Sequence, residues 1–288
     1  MIVGTETLRR YRFEVLCLAP FLLYLAMFTF LPVWQVFRIS LTEPGGRGLT
    51  LVHYVQLWSQ SDFRTAFLNT LVIALGSLGI ELVLGLALAV SLTAIGRRSG
   101  WLKTMLTLPL AVPTVVAAVM MTYLFSTSGW VNRILMDLGL ISQNIVWLSG
   151  DARSLFAVMM ADCWKVTPLV MLILLAGLQG IDGDLYEAAG MDGARSGQMF
   201  RYITLPLLMP SITTAVIIRG IDAFRIFSLA LILTGENLKV IGTYAYLEYV
   251  EYHNEALSAA SAVILFLVIL FAILVYVRVV GREGLQVA

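Results

Sequence analysis

Six segments of the chain are each long and apolar enough to cross a lipid bilayer. The hydrocarbon core of a bilayer is about 30 Å thick, and a helix needs about 20 mostly apolar residues to cross it. The second and fifth segments are longer than a perpendicular crossing requires, so we expect them to tilt or to extend into water. The chain is therefore predicted to be an all-α, multi-pass membrane protein in which residues 1–288 form one transmembrane domain. The six segments lie at residues 15–37, 66–95, 105–125, 155–178, 205–233 and 258–280.

The composition excludes several other classes of protein. Of the 288 residues, 59% are hydrophobic and only 13% are charged, whereas a soluble domain has about 25% charged residues. The 19 Lys and Arg nearly balance the 18 Asp and Glu, so a basic nucleic-acid-binding protein is excluded. Cys17 and Cys163 lie in apolar runs and form no C-x-x-C pair. We therefore predict neither a disulfide nor a metal site.

The basic residues outside the six segments predict the orientation of the chain. Six crossings place both termini on the same side of the membrane, and that side collects ten basic residues against six on the other side. Because cytoplasmic loops are enriched in Lys and Arg, both termini and the loop at residues 180–203 are predicted to be cytoplasmic. The ten residues are Arg9, Arg10, Arg12, Arg97, Arg98, Lys103, Arg195, Arg201, Arg278 and Arg282.

Six charged residues remain inside the predicted spans. A charge near the bilayer centre costs about 2.5–3.5 kcal/mol, so such a residue faces a partner or a water-filled cavity. Arg219, Asp222 and Arg225 are spaced three residues apart, which keeps both arginines within reach of Asp222 on one helix face. With three positive and three negative charges, full pairing is possible. The six residues are Glu81, Asp162, Lys165, Arg219, Asp222 and Arg225.

Two interpretations of these charges remain open. They pair with one another to fix helix packing, or they line a hydrophilic passage for a polar solute. Trp164, Phe224 and Phe227 lie beside them in the sequence. These aromatic side chains suit stacking against sugar rings, and they are equally ordinary as residues of a membrane span.

Three prolines fall inside the third and fourth predicted spans, at Pro109, Pro113 and Pro168. Proline removes a backbone hydrogen bond and kinks a helix, and neighbouring groups in a membrane protein satisfy the carbonyls that it frees. We therefore expect kinks in these two spans, a feature common both in transport paths and in ordinary helix bundles.

The loop at residues 182–206 has the pattern of a helix followed by a turn and a second helix. Asp184 is a good N-cap, and Glu187 follows three residues later, as in a capping box. Ala188 and Ala189 continue a short helix, and Gly193 suits a tight turn or a close backbone approach. This segment is either a plain connector between two spans or a surface of small residues that another protein presses against.

A longer pattern runs from this loop into the next predicted span. It is Glu-Ala-Ala, three residues, Gly, nine residues, and then Ile-x-Leu-Pro, formed by Glu187, Ala188, Ala189, Gly193, Ile203, Leu205 and Pro206. This pattern resembles the EAA loop of ABC importer permeases. The resemblance implies the MetI-like transmembrane fold, with six helices and both termini in the cytoplasm.

Within that family the chain is similar to the first permeases of maltose and trehalose importers. It differs from the maltose type in lacking extra N-terminal spans and a large periplasmic insertion, so the resemblance implies only a disaccharide or a short oligosaccharide as the solute. The similar stretches are residues 81–89 (ELVLGLALA), 164–169 (WKVTPL), 175–178 (LAGL), 192–194 (DGA) and 222–227 (DAFRIF).

The resemblance also implies how such a chain works. The EAA loop, here with Gly190 and Asp192 inside it, forms a coupling helix that sits in a groove of a cytoplasmic ATPase, and Glu187 contacts that ATPase. The chain has no G-x-x-x-x-G-K-[ST] phosphate loop, so it is not expected to be an enzyme, and it is expected to bind no cofactor. ATP and magnesium belong to two copies of a partner ATPase. A second permease and an extracytoplasmic solute-binding protein complete the system, in the inner or plasma membrane of a prokaryote.

Two other classes and one other solute are alternatives. An intramembrane enzyme would need a nucleophile and base or a metal set at membrane depth, and both histidines, His53 and His253, fall in external loops. An ion-coupled secondary transporter would use the buried acids as proton relays. Among ABC importers the alternative solute is glycerol phosphate or another polar solute, since Arg219 and Arg225 suit a phosphate.

Overall fold

The computed structural model describes residues 12–43, 48–96 and 100–279. Five of the basic residues that predict the orientation lie outside the described part of the chain. They are Arg9, Arg10, Arg97, Arg98 and Arg282.

The described chain is helical along nearly its whole length, which confirms the all-α prediction. Helix α1 runs without a break through Arg12–Leu25, a π-helical segment at Ala26–Phe30, and Leu31–Leu41. Helix α9 is also continuous, from Ser196 to Phe224, with a π-helical segment at Phe200–Thr204. The other helices are α2 (Val52–Ser59), α3 (Ser61–Ile95), α4 (Gly100–Ala111), α5 (Thr114–Leu124), α6 (Trp130–Asp137), α7 (Ala152–Gln179), α8 (Gly183–Met191), α10 (Ser228–Thr234), α11 (Ile241–Val250) and α12 (Glu255–Val279).

Five of these helices are long and apolar enough to cross a membrane, and a sixth crossing is possible if α4 and α5 together form one. The five match the first, second, fourth, fifth and sixth predicted spans in position. They are Leu16–Leu41, Ser61–Ile95, Ala152–Gln179, Ser196–Phe224 and Glu255–Val279.

The third predicted span is broken. Instead of one kinked helix over residues 105–125, the chain bends by 93° between α4 and α5. Pro113 has extended backbone angles (φ −56°, ψ 140°) and is the N-cap of α5. A proline disfavours helical geometry at the residue before it, so Pro113 ends α4 close to Val112. Pro109 lies inside α4 and Pro168 inside α7, where the helices continue.

The helix at the fifth predicted span, residues 205–233, has other ends than that span. Helix α9 begins nine residues earlier, at Ser196, and ends at Phe224. The chain then leaves helical geometry through Arg225 and Phe227, and α10 begins at Ser228. No glycine or proline marks this break in the sequence. Helix α10 packs against α5 and does not extend α9.

The chain divides into two compact units. The first comprises Met1–Ser59 and Ala245–Ile264, and the second comprises Gln60–Tyr244 and Leu265–Ala288. In the first unit, a polar cavity of about 660 Å³ is lined by residues that include Arg38, Glu43 and His53.

The second unit is built around α3 and α7, which pack along much of their length, with α9 against both. Gly85 of α3 permits this close packing, since a Cβ at that position would lie 2.8 Å from Cγ1 of Val170 and 3.1 Å from the backbone nitrogen of Met171. Gly177 of α7 likewise faces Ser211 of α9 at short range. Small residues at such crossings are how membrane helices approach one another closely.

One side chain fixes the connection between α6 and α7. Asn132 is 1% exposed and uses all of its hydrogen-bonding groups. Its amide nitrogen donates to the carbonyl oxygens of Thr127 (2.9 Å) and Ile145 (2.8 Å). Its oxygen accepts from the backbone nitrogen of Ile145 (3.2 Å) and from Nε1 of Trp147 (3.0 Å). The inner side of α6 is therefore held rigidly against residues 145–147.

Candidate functional site

A cluster of four charged side chains lies where α3, α7 and α9 meet. Arg219 of α9 donates from Nε to Oε2 of Glu81 (2.5 Å) and from Nη2 to Oε1 of the same carboxylate (2.9 Å). The Nη2 atom also donates to Asp162 of α7, and Nη1 donates to Oδ2 of Asp222 (3.2 Å). We call Glu81, Asp162, Arg219 and Asp222 the buried charge cluster.

The burial of the cluster explains why it must be held together. The side chain of Arg219 is 1% exposed and that of Glu81 is 0% exposed, whereas Asp222 is 67% exposed. A buried ion loses several kcal/mol of hydration, which is recovered only through good ion-pair and hydrogen-bond geometry. The planar guanidinium offers five donors in a fixed fork, which suits simultaneous contact with several carboxylates.

The cluster corrects the pairing expected from the sequence. The full pairing of three cations with three anions that the sequence permits is not formed in the described part of the chain, where Arg219 contacts all three carboxylates. In the part of the chain that the structure describes, no carboxylate oxygen lies within 4.0 Å of the amino or guanidinium nitrogens of Lys165 or Arg225. Arg225 follows Asp222 by three residues, and on a continuous helix the two would share a face. Because α9 ends at Phe224, Arg225 does not continue that face.

A polar cavity of about 380 Å³ lies beside the buried charge cluster. Four of the six charged residues predicted inside the spans line it, namely Asp162, Lys165, Asp222 and Arg225. Both interruptions of the helices also reach it: Thr114 follows the bend at Pro113, and the cavity is bordered by the segment after Phe224. The remaining lining residues are Thr114, Val166, Ile226, Phe227, Ser228 and Leu229.

The aromatic residues named from the sequence do not share one environment. Phe224 is 6% exposed and packs with Ala74 and Ala223 in an apolar cluster, so it does not face the polar cavity. Trp164 is 37% exposed and is not among the cavity-lining residues. Phe227 does line the cavity, and so do Thr114 and Ser228, which sequence reasoning missed. Pro113 marks the first break in the sequence but not its size, and no proline or glycine marks the break between Phe224 and Ser228.

The loop at residues 182–206 contains a short helix, α8, whose N-cap differs from the predicted one. The N-cap is Asp182, whose side chain accepts from the backbone nitrogen of Asp184 at 3.1 Å. The prediction that Asp184 is the N-cap is therefore wrong, and Glu187 lies too far along α8 to form a capping box. The two aspartates are two residues apart, and both are chemically suited to the position.

The end of α8 is built around Gly193, as the sequence predicts. Gly193 has φ 77°, and its backbone nitrogen donates to the carbonyl of Gly190 at 3.0 Å. The backbone nitrogen of Ala194 donates to the carbonyl of Ala189 at 2.9 Å. These two bonds form a Schellman motif, which ends a helix with a left-handed residue.

The EAA residues form an accessible helix and the start of the next one. Glu187, Ala188, Gly190, Asp192, Gly193 and Pro206 are exposed, while Ala189, Ile203 and Leu205 are half-buried. Ile203 and Leu205 lie inside the continuous helix α9 rather than in a separate loop. A hydrogen bond of 2.9 Å between the hydroxyls of Tyr186 and Thr204 joins α8 to α9.

Replacing Asp182 by Ala is expected to loosen the first turn of α8, because loss of an N-cap costs about 1 kcal/mol. Asp184→Ala is the matched control, since the side chain of Asp184 does not cap the helix. Hydrogen exchange of the amides at residues 184–186, followed by mass spectrometry, should quicken several-fold in D182A and little in D184A. Faster exchange in D184A alone would show that Asp184 is the N-cap after all.

Several known proteins are similar to this chain in sequence. Residues 81–283 match the family described as "Binding-protein-dependent transport system inner membrane component". The chain is 35% identical over 283 residues to the trehalose/maltose transport system permease protein MalF of Thermococcus litoralis, and the matched region covers 95% of each protein. It is 33% identical over 226 residues to the trehalose transport system permease protein SugA of Mycobacterium tuberculosis, covering 76% of this chain and 71% of that one. It is 30% identical over 275 residues to the arabinooligosaccharides transport system permease protein AraP of Bacillus subtilis, covering 91% and 87%.

Solved structures share the fold. A chain from a bacterial alginate ABC transporter, in complex with an alginate pentasaccharide-bound periplasmic protein, superposes with a TM-score of 0.84 at 23% identity and covers 97% of both chains. A chain of the MetNI methionine ABC transporter superposes with a TM-score of 0.57 at 17% identity, covering 76% of this chain and 94% of that one. The family match spans the buried charge cluster, the polar cavity and the EAA segment. The chain therefore belongs to the binding-protein-dependent transport system inner membrane components, the permeases of ABC importers.

Proposed function

We propose that this permease imports a sugar, and that the solute is a disaccharide or a short oligosaccharide such as trehalose or maltose. The observation that carries the proposal is the 35% identity to a trehalose/maltose permease over 95% of both chains. The relatives named for trehalose and for arabinooligosaccharides support the same solute class. Family membership is that of a transporter permease and not of an enzyme, and it does not support an ion-coupled secondary transporter.

We further propose that the solute passes through the polar cavity. Ligand sites have volumes of about 300–1,000 Å³ and combine apolar walls with a few polar groups, and a cavity of about 380 Å³ with a mixed lining fits that description. Asp162 and Asp222 offer acceptors for sugar hydroxyls, and Phe227 offers an aromatic face. Non-helical backbone at membrane depth is tolerated where it lines a water-filled cavity, which suits the breaks at Pro113 and Arg225.

The energy for transport is proposed to come from partner subunits. Helix α8, with Glu187 on its exposed side and Gly193 at its end, sits in a groove of a cytoplasmic ATPase, and the Tyr186–Thr204 bond passes its movement to α9. Two copies of this ATPase bind ATP and magnesium and hydrolyse the ATP. A second permease completes the pathway, and an extracytoplasmic binding protein delivers the sugar. In this arrangement residues 1–288 act as one transmembrane domain with both termini in the cytoplasm.

A second candidate solute is an anion such as glycerol phosphate. Lys165 and Arg225 line the cavity without a carboxylate within 4.0 Å in the described chain, and cations of this kind bind phosphate oxygens strongly. The net charge of the lining, two cations and two carboxylates, favours the neutral sugar.

Uptake into proteoliposomes tests the proposed function. The chain is co-expressed with the subunits encoded beside it, purified as a complex, and supplied with the binding protein and radiolabelled solutes. We expect trehalose or maltose to accumulate only when ATP is present on the cytoplasmic side, and an excess of glycerol 3-phosphate not to compete. Competition by glycerol 3-phosphate would favour the anion, and uptake that needs a proton gradient instead of ATP would overturn the proposed mechanism.

A further inference from the structure

Helix α6 (Trp130–Asp137) carries an apolar face that the protein covers only in part. Val131 and Leu135 are half-buried, and Val131 packs against the core of the second unit. Trp130 and Ile134 continue the same face but are 61% and 52% exposed. Leu138, one turn beyond Ile134, is 67% exposed. An exposed apolar stripe of this kind on a fixed helix marks a surface that meets something apolar.

The opposite border of α6 is charged. Arg133 and Asp137 are exposed, and the guanidinium carbon of Arg133 lies 5.5 Å from the ring centroid of Trp130. An apolar stripe with an aromatic residue, bordered by a basic residue on the polar side, is the pattern of a helix that lies in the plane of a membrane interface.

The packing of α6 fixes its depth. The core cluster that contacts Val131 includes Ala157, in the second turn of α7, and Phe125, directly after α5. Helix α7 is a membrane span whose other end leads to α8. Helix α6 therefore lies at the level of the end of that span remote from α8, where hydrocarbon gives way to head groups.

The apolar stripe also continues a surface that faces lipid. Helix α5 exposes a single apolar face that ends at Tyr123, which is 73% exposed. Helix α6 begins directly on the end of α5, since a Cβ on Gly129 would lie 2.5 Å from the carbonyl oxygen of Tyr123. The backbone at Gly129, directly before Trp130, is therefore close to the backbone of Tyr123. Both Tyr123 and Trp130 are exposed, and Tyr and Trp are enriched at membrane–water interfaces. The residues of the α5 face are Val115, Val116, Val119, Met120 and Tyr123.

We infer that α6 is an interfacial helix of the lipid bilayer, on the membrane face opposite to α8. Trp130, Ile134 and Leu138 enter the acyl chains, and Arg133 and Asp137 face the head groups and water. A helix of this kind enters the boundary by about 5–10 Å. Asn132, with its four hydrogen bonds, holds α6 to the protein, so the helix keeps the surrounding loop at a fixed depth.

Spin-label accessibility tests this inference. A cysteine replaces Ile134 or Asp137 in a Cys17→Ser background, in which the remaining Cys163 is buried, and the labelled full-length chain is placed with its co-expressed subunits in phosphatidylcholine–phosphatidylglycerol nanodiscs. We expect the label at residue 134 to collide several times more often with oxygen than with a water-soluble nickel chelate, and the label at residue 137 to show the reverse. Leu138→Cys is a second variant for the apolar stripe if Ile134→Cys is poorly produced.

Two outcomes would overturn the inference. A label at residue 134 that collides freely with the nickel chelate would place α6 in water. A label that is inaccessible to both reagents would show that another protein covers the stripe. The matched residue 137 shows in each case that the nanodiscs and the reagents behave as intended.

Discussion

Replacing Arg219 by Met is expected to destabilise the protein more than any other single substitution in the membrane region. The change leaves Glu81 and Asp162, both buried, without their common cation. Removing one partner of a buried ion pair costs about 3–5 kcal/mol, which is a large part of the total stability of a protein of this kind. We expect R219M to yield little folded protein, measured by fluorescence-detected size exclusion and by thermal unfolding in detergent.

Arg225→Met is the matched control for R219M. It removes the same side chain from a position six residues along, where Arg225 is exposed and has no ion pair within 4.0 Å in the described chain, so its effect on thermal unfolding should be small. Adding Glu81→Gln and Asp162→Asn to R219M should restore much of the folded yield, because the uncompensated charges are then gone. Equal destabilisation by R219M and R225M would contradict the role assigned to the buried charge cluster.

Replacing Gly193 by Trp is expected to lower ATP-driven uptake at least tenfold while the complex continues to hydrolyse ATP. Gly193 has φ 77° and ends α8 through a Schellman motif, and an L-residue pays about 1–2 kcal/mol in this conformation. A Cβ at Gly193 meets no atom of this chain within 4 Å, so the bulk of Trp is directed at whatever docks on α8. Uptake and ATPase rates are measured on the same proteoliposomes.

Two substitutions separate the backbone strain from the contact with a partner. Gly193→Asn keeps the left-handed turn, which Asn tolerates, and should retain most of the uptake. Gly139→Trp places the same residue at φ 69°, again with no atom within 4 Å of the Cβ, on the membrane face opposite to α8. We expect G139W to transport at a rate close to that of the unchanged protein. A normal rate in G193W would overturn the proposed coupling role of this loop.

The sequence predicts well those features that depend on neighbouring residues. The length of an apolar run determines whether a helix can cross a membrane, so five spans match the predicted positions to within a few residues apart from the ends of the fifth. Gly193 is also a local feature, because a glycine after a short helix is suited to the left-handed cap. The choice between Asp182 and Asp184 as N-cap is decided by where α7 ends and the chain turns, and local sequence does not distinguish them.

Features that depend on distant residues could not be predicted in the same way. Spacing along one helix predicts the contact between Arg219 and Asp222, which is present. It does not predict that Arg219 also binds Glu81, which lies 138 residues earlier in the chain, or that Arg225 lies beyond the end of the helix. The end of α9 at Phe224 has no proline or glycine to mark it, and the next helix, α10, packs on α5, which lies about 100 residues earlier in the chain. Phe224, grouped with the charged residues by sequence, lies in an apolar cluster, while Ser228, just beyond this break, reaches the polar cavity.

The polar cavity beside the two helix breaks also affects how the membrane insulates the cell. Transferring a small ion from water to a hydrocarbon-like medium costs on the order of 20 kcal/mol, and this barrier is what sustains a voltage across a bilayer. The cavity has a volume of about 380 Å³ and four charged side chains in its lining, so the barrier to an ion is absent at the depth of the cavity. Electrical resistance at this point therefore comes from packed protein on either side of the cavity, and one of those two layers must stay shut throughout the transport cycle.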